Sequence, residues 1–509
     1  MRKFLVSVSV AALFALAACD RGPAQAGDEA ADAVNPDKVA PEQLRAAVSD
    51  PRVKAFYDAR DWAAVWTEDE ARALTGALRD APRHGLEAVQ FLRASDAADN
   101  PAQREARLTL AAISYADALA NGRVDPKKVQ EIYSVPAPRV NVVGGLGQAI
   151  GDGAVGDWLA GLAPQDAEYR ALSEAFLRYS QASGASNPQI PAGKAIKPGQ
   201  SDPRLPAIAA VLGARGYLEA QPADTEAARY SPEMVVAVRR LQQDFGMEAD
   251  GVIGNATIEA LSKGSADRAR TLAINLERRR WLARTPPETR IDVNTAAAML
   301  AYWRDGRVVD ARRVVVGQSG WETPPLGSPI FRLVANPPWN VPVSIEEDEL
   351  AAKGAAYLAA NRFTRVNGRL VQASGPDSAL GEVKFDMENA HAIYLHDTPA
   401  KALFATDDRH SSHGCVRVHN AIQFAQLLAE HDGQRAAFDK ALATGEENAV
   451  NLKRKIPVRL LYHTAFVENG RVLFRDDAYG WDEDLAERLG MEKRTRRAAP
   501  ETHISVSGP

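Results

Sequence analysis

Near residue 290 the spacing of apolar residues along this chain changes. Upstream, from Pro41 to about Ser180, they recur at helical intervals: Leu74 and Leu78, then Leu108, Leu110, Ile113 and Leu119, then Leu172, Phe176 and Leu177. That period buries one face of a helix. Downstream the period falls to two, as in RIDVN from Arg290, and Asp305-Gly306, Asn367-Gly368 and Asn469-Gly470 punctuate it. Such a pair supplies the two left-handed residues that a tight hairpin turn requires. The three tips predict a mostly β domain from about Arg290 to about residue 480, behind a helical domain over 43–182. A chain of 509 residues exceeds what one core holds. The predicted class is therefore multidomain α+β.

Between these regions, 183–203 holds four prolines and three glycines and reads as a linker. Residues 204–265 read as a compact three-helix module. Ile208, Val211 and Leu212 line one helix, Val238, Leu241 and Phe245 a second, and Ile258 and Leu261 a third, with turns at Asp250-Gly251 and Gly254. The first 18 residues carry Arg2 and Lys3 before a short apolar run, the pattern of an export signal. Leu16-Ala17-Ala18-Cys19 resembles a bacterial lipobox, which implies lipid on Cys19 and a membrane anchor. Residues 19–42 then read as a flexible tether and 492–509 as a disordered tail. Net charge is −5 with no long basic run, which argues against a nucleic-acid partner.

If Cys19 carries lipid, Cys415 is the single free thiol of the exported chain, since the sequence has two cysteines. It sits in HSSHGCVRVHN, and five of the nine histidines fall between His391 and His419. Only a thiolate attacks well, so a nucleophilic cysteine needs a neighbouring base or cation. His396 and His413 are the candidate bases. His413 lies two residues before Cys415, and an extended segment places both side chains on one face. Gly414 clears space for substrate to approach the backbone, and Arg417 promotes the thiolate or grips a carboxylate. A zinc site using the histidines and Cys415 is a rival reading, but the spacing matches no familiar ligand pattern. An inert thiol among surface histidines is the bland one.

His396, fifteen intervening residues, then Ser412-His413-Gly414-Cys415 and Arg417 resembles the signature of the L,D-transpeptidase catalytic family. TPPLG at Thr323, NPPWNVPVSI at Asn336, LGEVKF at Leu380 and IYLHDTP at Ile393 resemble its flanking blocks in order. The module's AVRRLQQDFGMEADGVIGNATIEAL resembles a peptidoglycan-binding module, so the whole chain is similar to the large periplasmic members of the family. The resemblance implies a cysteine acyl-enzyme that forms 3-3 cross-links in peptidoglycan, with no cofactor or metal. It implies Cys415 as nucleophile, His396 as base, and the backbone carbonyl of Asp397 orienting that imidazole. His413, Tyr394 and the Cys415 amide, next to Gly414, would serve the oxyanion. Ser412, Arg417 and Trp339 are assigned to substrate, and 346–379 to a capping insertion over the site. Expected partners are peptidoglycan stem peptides, the membrane through the lipid anchor, and other cell-wall enzymes. An L,D-carboxypeptidase and a catalytically idle wall-binding lipoprotein remain the alternatives.

Overall fold

In the computed structural model, the described residues are 39–87, 90–91, 100–138, 140–182, 190–219 and 229–493. The export signal, Cys19 and the tether to residue 38 therefore lie outside them, as do 183–189 of the linker and 494–509 of the tail. Among the described residues, no helix is long and apolar enough to cross a membrane.

The N-terminal helices gather around one long helix, Pro101–Asn121. Asn100 starts it: its side chain accepts from the Gln103 N–H (3.0 Å), and the Gln103 side chain accepts in return from the Asn100 N–H (3.2 Å). Its buried face carries polar groups that take part in internal hydrogen bonds. Trp66 Nε1 donates to Thr109 Oγ1 (2.8 Å), and the Val65 N–H donates to Glu105 (2.6 Å). The module that follows has its own core on helices Leu205–Ala214, Pro232–Asp244 and Asn255–Ser262. Gly251 turns with φ +77°, but Gly254, expected in a turn, has φ −91° and is the N-cap of the third helix.

A helix absent from the sequence reading, Ser265–Arg280, joins the parts. It packs along Ala167–Gln181 of the helical region. Glu277, fully buried, pairs with Arg280 (2.6 Å) and accepts from the Arg123 and Val124 N–H groups (2.5 and 2.9 Å). On the other side Arg278 pairs with Asp482, and Asn275 donates to Thr464 (2.8 Å).

The β domain begins with β1 (Arg290–Asn294), β2 (Met299–Arg304), β3 (Arg307–Gly317) and β4 (Ile330–Ala335). The insertion holds β5 (Trp339–Asn340), β6 (Phe363–Val366) and β7 (Arg369–Gln372). Then come β8 (Val383–Met387), β9 (Leu395–His396), β10 (His410–Ser412), β11 (Val416–Val418), β12 (Asn448–Ile456) and β13 (Val458–Leu461). A last hairpin is β14 (Ala465–Glu468) with β15 (Arg471–Phe474). The large sheet runs β12-β4-β8-β9-β11-β3-β2-β1-β13, with β10 beside β3. All three Asp-Gly and Asn-Gly tips adopt positive φ at both residues. Helix Ala421–His431 covers the sheet, and Phe424 meets Phe385 of β8 (5.5 Å).

The insertion forms a small sheet, β5-β7-β6, over a core of Trp339, Val341, Ile345, Leu350, Leu370 and Leu380. Its structural unit thus starts at Trp339, before the expected residue 346. From Glu346 to Ala360 the insertion runs through a π turn, a 3-10 turn and a short α-helix. The last hairpin leaves the β domain and packs Ala465 and Phe474 into the helical core, where Phe245 of the module stacks on Phe474 (5.7 Å).

Candidate active site

β9 and β11 are parallel neighbours near the middle of the sheet, and the register sets His396 against Arg417 on one side and Lys384 of β8 on the other. Cys415 immediately precedes β11. The turn from β10 that presents it is tied from within. The Ser412 hydroxyl donates to the Cys415 carbonyl (2.6 Å) and accepts from the Gly414 N–H (3.2 Å). Thr323 Oγ1 donates to the Gly414 carbonyl (2.8 Å) and accepts from the Gly317 N–H (2.9 Å). Gly414 has φ +105°, a conformation costly for any residue with a Cβ.

That conformation corrects one expectation. The His413–Cys415 segment is not extended but bends at Gly414, so the shared-face argument for His413 and Cys415 fails. Cys415 is 6% exposed. Burial pushes its thiol up to about 11, against hydrogen bonds from the backbone and hydroxyl of Tyr394 and the charges of Lys384 and Arg417, which pull it down. The sulfur also lies 3.6 Å from the Ala392 carbonyl. Burial thus favours the protonated thiol, which makes the neighbouring base that the sequence reading calls for a requirement. Tyr394, expected at the oxyanion, meets the Cys415 sulfur itself. Lys384 sits over the Tyr394 ring (4.4 Å).

His396 is buried, with its ring edge-on to Tyr394 (5.6 Å between centroids). Its Nδ1 lies 2.5 Å from the Asp397 carbonyl oxygen, which only accepts, so Nδ1 carries the proton. In the neutral ring Nε2 is then the proton acceptor. Asp397 is itself fixed: its carboxylate pairs with Lys401 and accepts from the Glu382 N–H (3.2 Å). Gly381 makes room for it, since a Cβ there would fall 2.3 Å from Asp397 Oδ2.

His413 Nε2 lies 2.5 Å from Glu349 Oε1, on the π turn of the insertion, and the Trp321 ring meets it edge-on (5.0 Å). Three residues assigned to substrate from the sequence lie inside the protein. Ser412 is 0% exposed and its hydroxyl is spent on the turn; Trp339 is 1% exposed and is core of the insertion, not cleft wall. Arg417, also given to substrate, is 1% exposed, and its charge acts on Cys415 and Glu349 inside the protein. Lys384, Thr323, Trp321 and Glu349 were not singled out from the sequence. Lys384 and Thr323 stand within the LGEVKF and TPPLG blocks, whereas Glu349 is hidden in the acidic run EEDE. Among the described residues, no group of three or more His, Cys, Asp or Glu side chains is arranged to hold a metal ion.

Comparison with known proteins follows the same partition. Residues 51–176 match a family described as "Scaffold domain", 202–261 one described as "Putative peptidoglycan binding domain", and 288–440 one described as "L,D-transpeptidase catalytic domain". A "Putative L,D-transpeptidase" of Haemophilus influenzae is 34% identical over 220 residues, 38% of this chain and 45% of that protein. The chain thus spans less than half the length of that curated relative. Among solved structures, an L,D-transpeptidase (Yku) from Stackebrandtia nassauensis is 13% identical, covering 55% of this chain and 99% of that one, with a TM-score of 0.23. An L,D-transpeptidase from Xylanimonas cellulosilytica is 16% identical, covering 53% and 98%, with a TM-score of 0.17.

Proposed function

We propose, for a chain that carries an L,D-transpeptidase catalytic domain together with a scaffold domain and a peptidoglycan-binding domain, that it joins peptidoglycan stems by 3-3 cross-links through a Cys415 thioester. The observation that carries this reading is the contact of His396 Nδ1 with the Asp397 carbonyl. The Nδ1 proton is committed to that carbonyl, which reserves Nε2 as a base on the strand beside the thiol.

In the first step the Cys415 proton passes to His396 Nε2 as the sulfur bonds to the carbonyl carbon between the third stem residue and terminal D-alanine. The C–N bond breaks, His396 returns the proton to the leaving D-alanine nitrogen, and a thioester remains. In the second step a side-chain amine of another stem attacks the thioester. Its proton moves through His396 to the departing sulfur, and the cross-link is complete. The Cys415 amide and Tyr394 steady the oxyanion, and the loss of one such donor costs on the order of 3 kcal/mol in the barrier. The burial of Cys415 favours a bound amine over water, because a closed site keeps bulk solvent from the thioester.

The same reading takes residues 43–182 as scaffold, 204–265 as the wall-binding module and 270–485 as the catalytic domain. It places the protein in the cell envelope, on the periplasmic side, held by lipid on Cys19 after removal of the signal. The test is incubation of purified sacculi with the protein, followed by muramidase digestion and mass spectrometry. Dimers linked 3-3 that disappear with Cys415→Ala are the expected product. Trimmed monomers alone would assign a carboxypeptidase, and unchanged sacculi would leave only a wall-binding lipoprotein.

A further inference from the structure

The insertion reaches the thiol turn through one acidic side chain. Glu346–Leu350 forms a single π-helical turn, a rare conformation concentrated at functional sites. Its four acids have different surroundings. Glu346 pairs with Arg365 of the same insertion, and Glu347 and Asp348 face solvent. Leu350 plugs the insertion's core and so fixes the turn. Glu349 points across, with Oε1 at 2.5 Å from His413 Nε2. The Trp321 ring meets His413 edge-on. Buried Arg417, two residues past Cys415, lies within electrostatic reach of both the Cys415 sulfur and the Glu349 carboxylate.

A donating imidazole backed by a buried guanidinium makes a receptor for a carboxylate. The protein fills that receptor with its own side chain. Resting on the transpeptidase reading, we propose that Glu349 occupies the seat of the donor stem's terminal carboxylate and is displaced by it when the insertion lifts. The stem's carboxylate lies one residue beyond the amide that Cys415 attacks, so recognition and chemistry are adjacent. The arrangement selects free chain ends and keeps the idle sulfur covered.

The full chain and its Glu349→Gln variant, which keeps the side chain's size, provide the test. Alkylation of Cys415 by iodoacetamide, followed by intact-protein mass spectrometry, is expected to run about tenfold faster in the variant, the lower end for losing a charged hydrogen bond. In a Cys415→Ala background, a peptide ending in D-alanine is expected to bind about tenfold more tightly once Glu349 is Gln. The same peptide as its C-terminal carboxamide is expected to bind unchanged. Equal tightening of acid and amide would make Glu349 a mere clasp and overturn the proposal. So would unchanged alkylation with unchanged affinity for the acid. Absence of wild-type product from sacculi would defeat the transpeptidase reading instead, while the alkylation rates would still judge the role of Glu349.

Discussion

Replacing Tyr394 by Phe removes a single oxygen from the surroundings of the reactive sulfur and leaves the ring beside His396 and under Lys384. Burial takes the Cys415 thiol from an ordinary 9.0 up to about 11, and Tyr394 restrains that rise with hydrogen bonds. At about 1.4 kcal/mol per pH unit, ionising the buried sulfur costs roughly 3 kcal/mol more than ionising an exposed one. With the thiol near 11, on the order of one sulfur in ten thousand is expected as thiolate at pH 7. A hydrogen bond to a charged group contributes about 1.5–3 kcal/mol, so Tyr394→Phe should slow alkylation of Cys415 about ten- to a hundredfold at fixed pH. The reactive form is the deprotonated one, so its population grows as pH rises. The wild-type rate should climb about tenfold per pH unit from pH 7 and level off only near 11; the variant should level off higher still. Iodoacetamide alkylation read by intact-protein mass spectrometry between pH 7 and 10 gives both curves. A wild-type rate already level by pH 8 would refute this reasoning, because it would mean a thiolate paired with an imidazolium. An unchanged rate in the variant would remove Tyr394 from the account.

Two further outcomes follow from the packing. Glu277→Ala leaves Arg280 buried without its carboxylate and the Arg123 and Val124 N–H groups without an acceptor, so it should cost about 3–5 kcal/mol in urea unfolding. Gly414→Ala forces a side chain into φ +105° and should cost about 1–3 kcal/mol of stability. Its acylation rate should fall further than that loss predicts, because the same turn aims Cys415 and receives Thr323; equal losses in both readouts would deny the turn that role.

The hairpins were legible because Asp305-Gly306, Asn367-Gly368 and Asn469-Gly470 each fix a local conformation that tertiary packing has no need to override. The helix Ser265–Arg280 was not. Its run of arginines and acids looks solvated, yet Glu277, Arg278 and Arg280 are buried and paired across parts of the chain more than a hundred residues apart. The side chains assigned to chemistry, Cys415, His396 and Tyr394, were visible as a dense motif. What they touch was less so. Ser412 and Trp339 carry the same polar or aromatic character whether they face a ligand or a core, and only the fold decides which. Glu349 escaped notice because its partner His413 is 64 positions away and the π turn that aims it has no signature in the run EEDE.

The most direct measurement is the mass of the protein after brief mixing with a disaccharide tetrapeptide, in the absence of any acceptor. The account predicts a covalent adduct equal to the donor minus D-alanine, on the tryptic peptide containing Cys415, sensitive to hydroxylamine and absent from Cys415→Ala. Release of D-alanine at an undiminished rate by Cys415→Ala would contradict it.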